Sequence, residues 1–353
     1  MLLFSDSFDD RPTANIVQGW TQIRPFSGSN PEISTGQGRR GTNAYYAFRN
    51  FPGNLGDLAV TLAPGDNRAI VGFAFNSATA FSQPTMNNDD TSMFRLRHNG
   101  VTQCWAMVGS DGKLRVYQGS GLTLRYTSTS VLTQGSYAYL EFDITVHGSA
   151  GSIAIYVNGI LDGTGIVSGI NTGTANAWSE YTMARMDAPN GTTWYFDDLY
   201  ILDGTGSRLN APLGDTRVDL TLPNAAGNSS QWTRSAGADQ WATIDDPQAN
   251  GDTDYNTSST TGHVDTLNFP PLPVAGAIVH AVVVKVQARK FDVGAAQLAG
   301  VTRVAGADYV SAPQSPGTTY NVARFQFPLN PATSAPWTVA DYDAAEFGYK
   351  KYL

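Results

Sequence analysis

The sequence predicts an all-β protein of two sandwich-like domains. Three observations carry that prediction: the kind of charged residue used, the density of turn residues, and the alternation of apolar residues between them. Only 15% of the 353 residues are Asp, Glu, Lys or Arg, against about a quarter in an average soluble domain. The acidic residues are almost all Asp, with Glu only at 32, 141, 180 and 346, and the basic ones are mostly Arg. Glu, Lys and Leu build surface helices, whereas Asp, Asn, Ser, Thr and Gly build turns. With Gly at 36 positions, this balance excludes a helical bundle, a coiled coil and a doubly wound α/β enzyme.

Residues 1–203 read as roughly a dozen short strands with turn signals between them. Residues Ala69 to Phe75 form an early strand pattern, and Asp111-Gly112 joins two apolar runs as a hairpin. Leu140, Phe142, Ile144 and Val146 alternate with Glu141, Asp143, Thr145 and His147, a period of two that puts one face in a core and one toward water. Ile153, Ile155 and Val157 repeat the pattern, and Asn158-Gly159 supplies a type I′ turn. Trp194 to Leu202 closes the series. Turn residues then cluster over 204–212, which predicts a linker, and 213–353 reads as a second β domain. There Val218, Leu220 and Leu222 alternate, and Asp245 to Gly262 is polar. The run from Ala275 to Val286, interrupted only by His280 and Lys285, predicts a strand at a sandwich centre. One short helix is expected after Thr338, where Asp341 sits at the capping-box position.

A net charge of −8 with scattered arginines argues against a nucleic-acid partner. No apolar stretch approaches the ~20 residues of a membrane span. The N-terminal residues lack the features of a signal peptide, so synthesis in the cytoplasm is expected. Cys104, the single cysteine, lies in an apolar pattern and reads as a small buried hydrophobe.

The chemistry-bearing residues are sparse. Glycoside hydrolysis needs two carboxylates about 5–9 Å apart, which Glu-x-Asp-x-Glu on one strand face would supply. Here the pattern is Glu141-Phe142-Asp143-Ile144-Thr145, lacking the last acid, so Glu141 and Asp143 read as the solvated face of a strand. No Gly-x-Ser-x-Gly elbow, zinc spacing or phosphate-binding loop occurs, and His280 reads as a hydrogen-bonded core residue. Asp252-Thr253-Asp254-Tyr255-Asn256 opens like a calcium loop but has Thr257 where Gly is required and His263 where Glu is required; a run of Asx turns accounts for it. Trp178, Trp232 and Trp241 are the aromatic candidates for sugar contact, set against burial in the cores.

Two resemblances add to this. The segments Phe4-Ser5-Asp6-Ser7-Phe8-Asp9-Asp10 and Trp194-Tyr195-Phe196-Asp197-Asp198-Leu199-Tyr200, with the Ile155 to Gly159 hairpin, resemble concanavalin-A-like jelly rolls of laminin-G type. That implies a jelly roll over 1–203 whose first and last strands pair. It also implies a structural calcium ion held by Asp6, Asp9, Asp197 and Asp198, since related jelly rolls clip their termini in this way. The series Leu213 to Val218, Ser230-Gln231-Trp232-Thr233, Ala288-Arg289-Lys290, Pro336 to Ala340 and Glu346-Phe347-Gly348 resembles a module of structural proteins of tailed bacteriophages and prophages. The implied protein is a non-enzymatic part of a virion surface, a tail fibre or tail-tip subunit that adheres to host glycans, assembled as a homo-oligomer with a trimer favoured. A capsid decoration protein, a free carbohydrate-binding lectin and a polysaccharide-degrading enzyme are the alternatives.

Overall fold

Residues 1–203 alternate as strands require, and among the described residues they form sixteen. These are β1 (Leu2–Asp6), β2 (Gln22–Arg24), β3 (Glu32–Ser34), β4 (Ala44–Phe48), β5 (Asp57–Thr61), β6 (Arg68–Ser77), β7 (Thr91–His98) and β8 (Val101–Val108), then β9 (Lys113–Gln118), β10 (Thr123–Val131), β11 (Ala138–Thr145), β12 (Gly151–Val157), β13 (Ile160–Leu161), β14 (Val167–Ile170), β15 (Glu180–Met186) and β16 (Thr193–Asp203). The structure is a computed structural model and describes residues 1–10, 19–24, 32–48, 57–81, 89–186, 192–274 and 276–353.

The strands make two antiparallel sheets. One runs β13-β12-β11-β6-β16-β4-β3, with β1 also on β16 and β14 also on β12; the other runs β10-β9-β8-β7-β15-β5-β2. β1 lies against β16 with Phe4 opposite Ile201, so the first and last strands of the domain are neighbours. Phe73, Phe142 and Phe196 from the first sheet share one buried cluster with Phe94, Tyr181 and Met183 from the second. Phe94 meets Phe142 edge to face at 4.9 Å, the packing that ring quadrupoles favour and that holds a sandwich shut. Cys104 lies in this core, and burial pushes its thiol up to about 12.

The expected hairpin turns are present. Asn158 and Gly159 both have positive φ, 51° and 77°, as a type I′ turn demands. Beyond β13, Asp162 ties this hairpin to β10. Its carboxylate accepts hydrogen bonds from the Thr129, Ser130 and Thr164 amides at 2.8–3.0 Å and from the Tyr126 hydroxyl at 3.1 Å. Burial alone would raise its pKa, but the amide donors outweigh it and hold the carboxyl well below the usual range. A depressed carboxyl stabilises the fold above its ordinary pKa, and that contribution is lost as the medium turns more acid. Asp162→Asn should therefore lower stability by about 1–3 kcal/mol at pH 7. The gap from wild type should start to narrow below about pH 4 and go on narrowing as the medium turns more acid in urea titrations, and a gap independent of pH would refute this assignment.

The chain divides into two compact units, Met1–Asp219 and Leu220–Leu353. The expected connector at 204–212, and residues 213–219 after it, go with the first unit and are pinned to its nine-stranded sheet. Arg68 donates to the Asn210 carbonyl at 3.1 Å, Glu141 accepts from the Leu213 and Gly214 amides at 2.7 and 2.9 Å, and Asp198 accepts from the Val218 amide at 2.8 Å. The segment is a strap across the sheet. It corrects the reading of Glu141 as solvated: Glu141 is 0% exposed. Asp143 is tied to Arg68. The cause is visible in the register. Tyr200 on β16 and Glu141 on β11 both face Gly72 on β6. A side chain at Gly72 would meet the Tyr200 ring at 2.3 Å, so its absence lets the ring cross β6 and donate to the Glu141 carboxylate.

The second unit contains β17 (Ala225–Ser230), β18 (Thr233–Arg234), β19 (Asn256–Thr257), β20 (Val264–Asn268), β21 (Val282–Ala288), β22 (Leu298–Val304), β23 (Ala307–Val310), β24 (Asn321–Phe327), helix α1 (Val339–Asp343) and β25 (Glu346–Lys351). A five-stranded sheet runs β17-β20-β25-β22-β23, and two ribbons pair β18 with β19 and β21 with β24. The helix has its full capping box: Thr338 Oγ1 accepts from the Asp341 amide and Asp341 accepts from the Thr338 amide. The apolar run before β24 does not sit at a sandwich centre. Its strand starts at Val282 in a two-stranded ribbon, Ile278 is 76% exposed, and His280 is half-buried; Ala275 lies outside the described residues. A ribbon gives each strand one neighbour, so much of β21 stays only partly covered.

Candidate functional site

The outer face of the nine-stranded sheet, opposite the core, carries a row of half-buried polar and aromatic side chains, of which Tyr137 donates its hydroxyl to the Gln37 carbonyl at 2.6 Å. On β16, Trp194 and Phe196 enter the core, which turns Tyr195 and Asp197 outward. Tyr195 lies opposite Asn76 on β6 and Tyr46 on β4. Tyr137 immediately precedes β11, whose Ala138 pairs with Phe75, so it continues the row beside Asn76. Glu32 on the edge strand β3 lies opposite Tyr46. The row Tyr137, Asn76, Tyr195, Tyr46 thus crosses four adjacent strands, about 14 Å at ~4.8 Å per strand. All four side chains are half-buried. Tyr46 and Tyr195 stack at 5.5 Å, and Phe48, two residues along β4, stacks on Tyr46 at 5.6 Å and 11°. Such cross-strand aromatic pairs hold one another in place.

Beside this row lie three of the four residues expected to bind calcium. Asp9, Asp197 and Asp198 come together; Asp6, on β1, accepts from the Phe8 amide at 3.0 Å and the Trp20 indole at 2.8 Å. Asp197 accepts from the Arg39 amide and the Asp198 amide, each at 2.8 Å. Asp198 accepts from Arg40 at 2.9 Å. Burial, then the nearby Asp198 charge, pushes Asp9 up to about 6 against the pull of the Asn43 amide. Burial likewise raises Asp197 and Asp198, with mutual repulsion adding at Asp197. Tyr137 is raised by burial and then by the charges of Asp197 and Asp198, which sets the carboxylates at the edge of the aromatic row. Among the described residues no group of three or more His, Cys, Asp or Glu side chains is arranged to hold a metal.

The outer face of the seven-stranded sheet is different in kind. Arg95 on β7 donates to Thr182 at 2.9 Å and to Asp57, and faces Asp89 at 3.5 Å. Opposite it on β8, Trp105 stacks on Tyr117 at 4.4 Å. Arg95 is 1% and Trp105 0% exposed, so this is a closed polar layer.

The other sequence candidates serve structure. Trp178 is buried in the first core, and Trp232 and Trp241 pack on the second. Asp252 is held by Arg289 and the Tyr320 hydroxyl, and Asn256 bonds Thr243 and Tyr349. Sequence reasoning missed the tyrosine row because it sought tryptophan in polar loops. Its signal was present: Tyr46 and Phe48 occupy the outward positions of a strand whose Tyr45 and Ala47 point inward.

No protein-family model and no curated protein matches the chain. Among solved structures it is similar to a SAP-like heptameric pentraxin from Limulus polyphemus (15% identity, 44% of this chain and 74% of that one, TM-score 0.30). It is also similar to the catalytic domain of a glycoside hydrolase family 131 protein from Coprinopsis cinerea (13%, 57% and 94%, TM-score 0.39). A third is the CBM2 module of the evolved Dit of Lactobacillus casei BL23 phage J-1 (11%, 57% and 94%, TM-score 0.36). Enzymes and non-enzymes stand side by side among them. Among the described residues, no helix is long and apolar enough to cross a membrane.

Proposed function

We propose that the chain is a non-enzymatic carbohydrate-binding surface protein that holds a glycan on the outer face of its first sandwich. The observation that carries this reading is the row of half-exposed Tyr137, Asn76, Tyr195 and Tyr46 across four strands. A tyrosine offers an apolar ring face to the C–H face of a sugar and a hydroxyl at its edge, and the amide nitrogen of Asn76 among the rings can donate to a sugar hydroxyl. The absence of catalysis is argued from Glu141, which is 0% exposed and whose Oε1 holds Tyr200 and the strap amides. The setting we favour, from the sequence resemblance, is a bacteriophage virion appendage at the tail, homotrimeric, with capsid decoration second; a free lectin would use the same face.

Tyr195→Ala should weaken binding to an immobilised host glycan by about tenfold or more, since stacked aromatic contacts of this size contribute about 1–2 kcal/mol. Tyr195→Phe should bind within a few-fold of wild type. An array on which wild type binds no glycan would overturn the reading. Sedimentation with purified particles at fixed copy number would support the virion setting, and recovery only as free protein would favour the lectin.

Structural calcium is a separate proposal, for Asp9, Asp197 and Asp198. A carboxylate has about four acceptor sites, so an ion could share these oxygens with their amide donors and relieve their repulsion. Calcium added after chelation should raise the melting temperature of wild type but not of Asp197→Asn. An unchanged wild-type melt would remove the ion.

A further inference from the structure

Resting on that reading, we propose that the face takes an extended, uncharged glycan running across the strands and discriminates against acidic glycans. Two observations lead there. The first is shape. The row is a line of side chains on the face of a sheet, ending at the edge strand β3 with the exposed Glu32. A line of about 14 Å, set by the strand spacing, matches several linked sugar rings and offers repeated stacking contacts to a chain. A site for one terminal sugar would instead concentrate its polar groups around a single ring.

The second observation is charge. The carboxylates bordering the row are Glu32 at one end and Asp9, Asp197 and Asp198 along one side, with Asp10 next to Asp9. Tyr46 senses Glu32, and Tyr137 senses Asp197 and Asp198. Among the described residues the basic groups at hand are Arg39 and Arg40, and both are engaged: Arg40 with Asp198, Arg39 with Asp215. The border therefore carries more negative than positive charge, on a chain of net charge −8. A uronate, sialate or sulfate placed on these rings adds an anion beside the exposed Glu32 and, with no ion on Asp9, Asp197 and Asp198, beside carboxylates that repel one another. A neutral sugar meets the same oxygens as hydrogen-bond acceptors, which suit hydroxyl donors.

The test uses the full chain and calorimetric titration with neutral glucan, mannan and N-acetylglucosamine oligomers of one to six units, beside uronate and sulfated polymers of matching length. Affinity for at least one neutral series should rise with length and level off near three or four units. The acidic counterparts should bind about tenfold weaker or worse at low salt, with the gap narrowing in high salt as screening sets in. Glu32→Lys, a change at an exposed edge residue, should narrow the gap between acidic and neutral glycans several-fold. Tightest binding to an acidic polymer, or a monosaccharide bound as tightly as a hexamer, would overturn this inference while leaving glycan binding intact if Tyr195→Ala still abolishes it. Neutral binding unchanged in Tyr195→Ala, with Tyr195→Phe folded and equally active, would overturn the proposed site along with the inference.

Discussion

Arg95→Ala is expected to cost the first sandwich about 3–5 kcal/mol, the usual effect of removing one partner from a buried ion pair. That is a large fraction of the roughly 5–15 kcal/mol that holds a typical domain together. The guanidinium is 1% exposed and serves three groups: the Thr182 hydroxyl, Asp57 and Asp89, whose side chains are 2% and 9% exposed. Asp89 also accepts from Thr102 at 2.6 Å, so the layer joins β5, β15, β7 and β8. Without the arginine, two carboxylates in a dry layer lose the guanidinium they share. Urea titration should show the loss at pH 7. Arg95→Met combined with Asp57→Asn and Asp89→Asn should recover more than half of it, because a neutral layer of similar volume has no charge to compensate. Equal losses in the single and triple variants would mean that packing, and not the buried charge, sets the effect.

The same layer shows what the sequence conveys and what it conceals. Alternation in Leu140 to Val146 and Ile153 to Val157 fixes which side chains enter the core, because a pleated strand turns every second residue the same way. The Asn158-Gly159 turn and the Thr338 cap are legible for the same reason: each is a local requirement met by local residues. What lies on the outer faces is not local. Glu141 and Asp143 alternate with apolar neighbours as solvated residues would, and one of them is nevertheless covered by a segment some 70 residues further on. Arg95 reads as an exposed strand arginine until Asp57 and Asp89 are placed around it. Tyr46, Asn76, Tyr137 and Tyr195 form a row only because the strand order β11-β6-β16-β4 brings four distant stretches side by side. The carboxylates fell between these cases. Pairing of the first and last strands placed Asp9 near Asp197 and Asp198.

Glu141 separates a structural latch from a catalytic acid. Glu141→Ala is expected to remove about 3 kcal/mol or more, since it leaves the Tyr200 hydroxyl and the Leu213 and Gly214 amides without their acceptor and each orphaned buried donor costs about 1–3 kcal/mol. The strap at 204–219 should then lift from the sheet and become a site of rapid limited proteolysis. Glu141→Gln retains an acceptor oxygen of the same reach and should cost about 1 kcal/mol or less at neutral pH. Burial raises the pKa of Glu141, and the hydrogen bonds from Tyr200 and the two amides offset this only in part. A carboxyl raised in the folded state contributes most below its ordinary pKa and loses that contribution as pH rises. Glu141→Gln should therefore gain on wild type as pH rises above about 4.5, which a pair of melting curves would show. A latch predicts that Gln preserves the strap and the glycan affinity. A catalytic acid predicts the reverse pattern, an intact fold in Glu141→Gln with loss of a polysaccharide-clearing activity that wild type possesses.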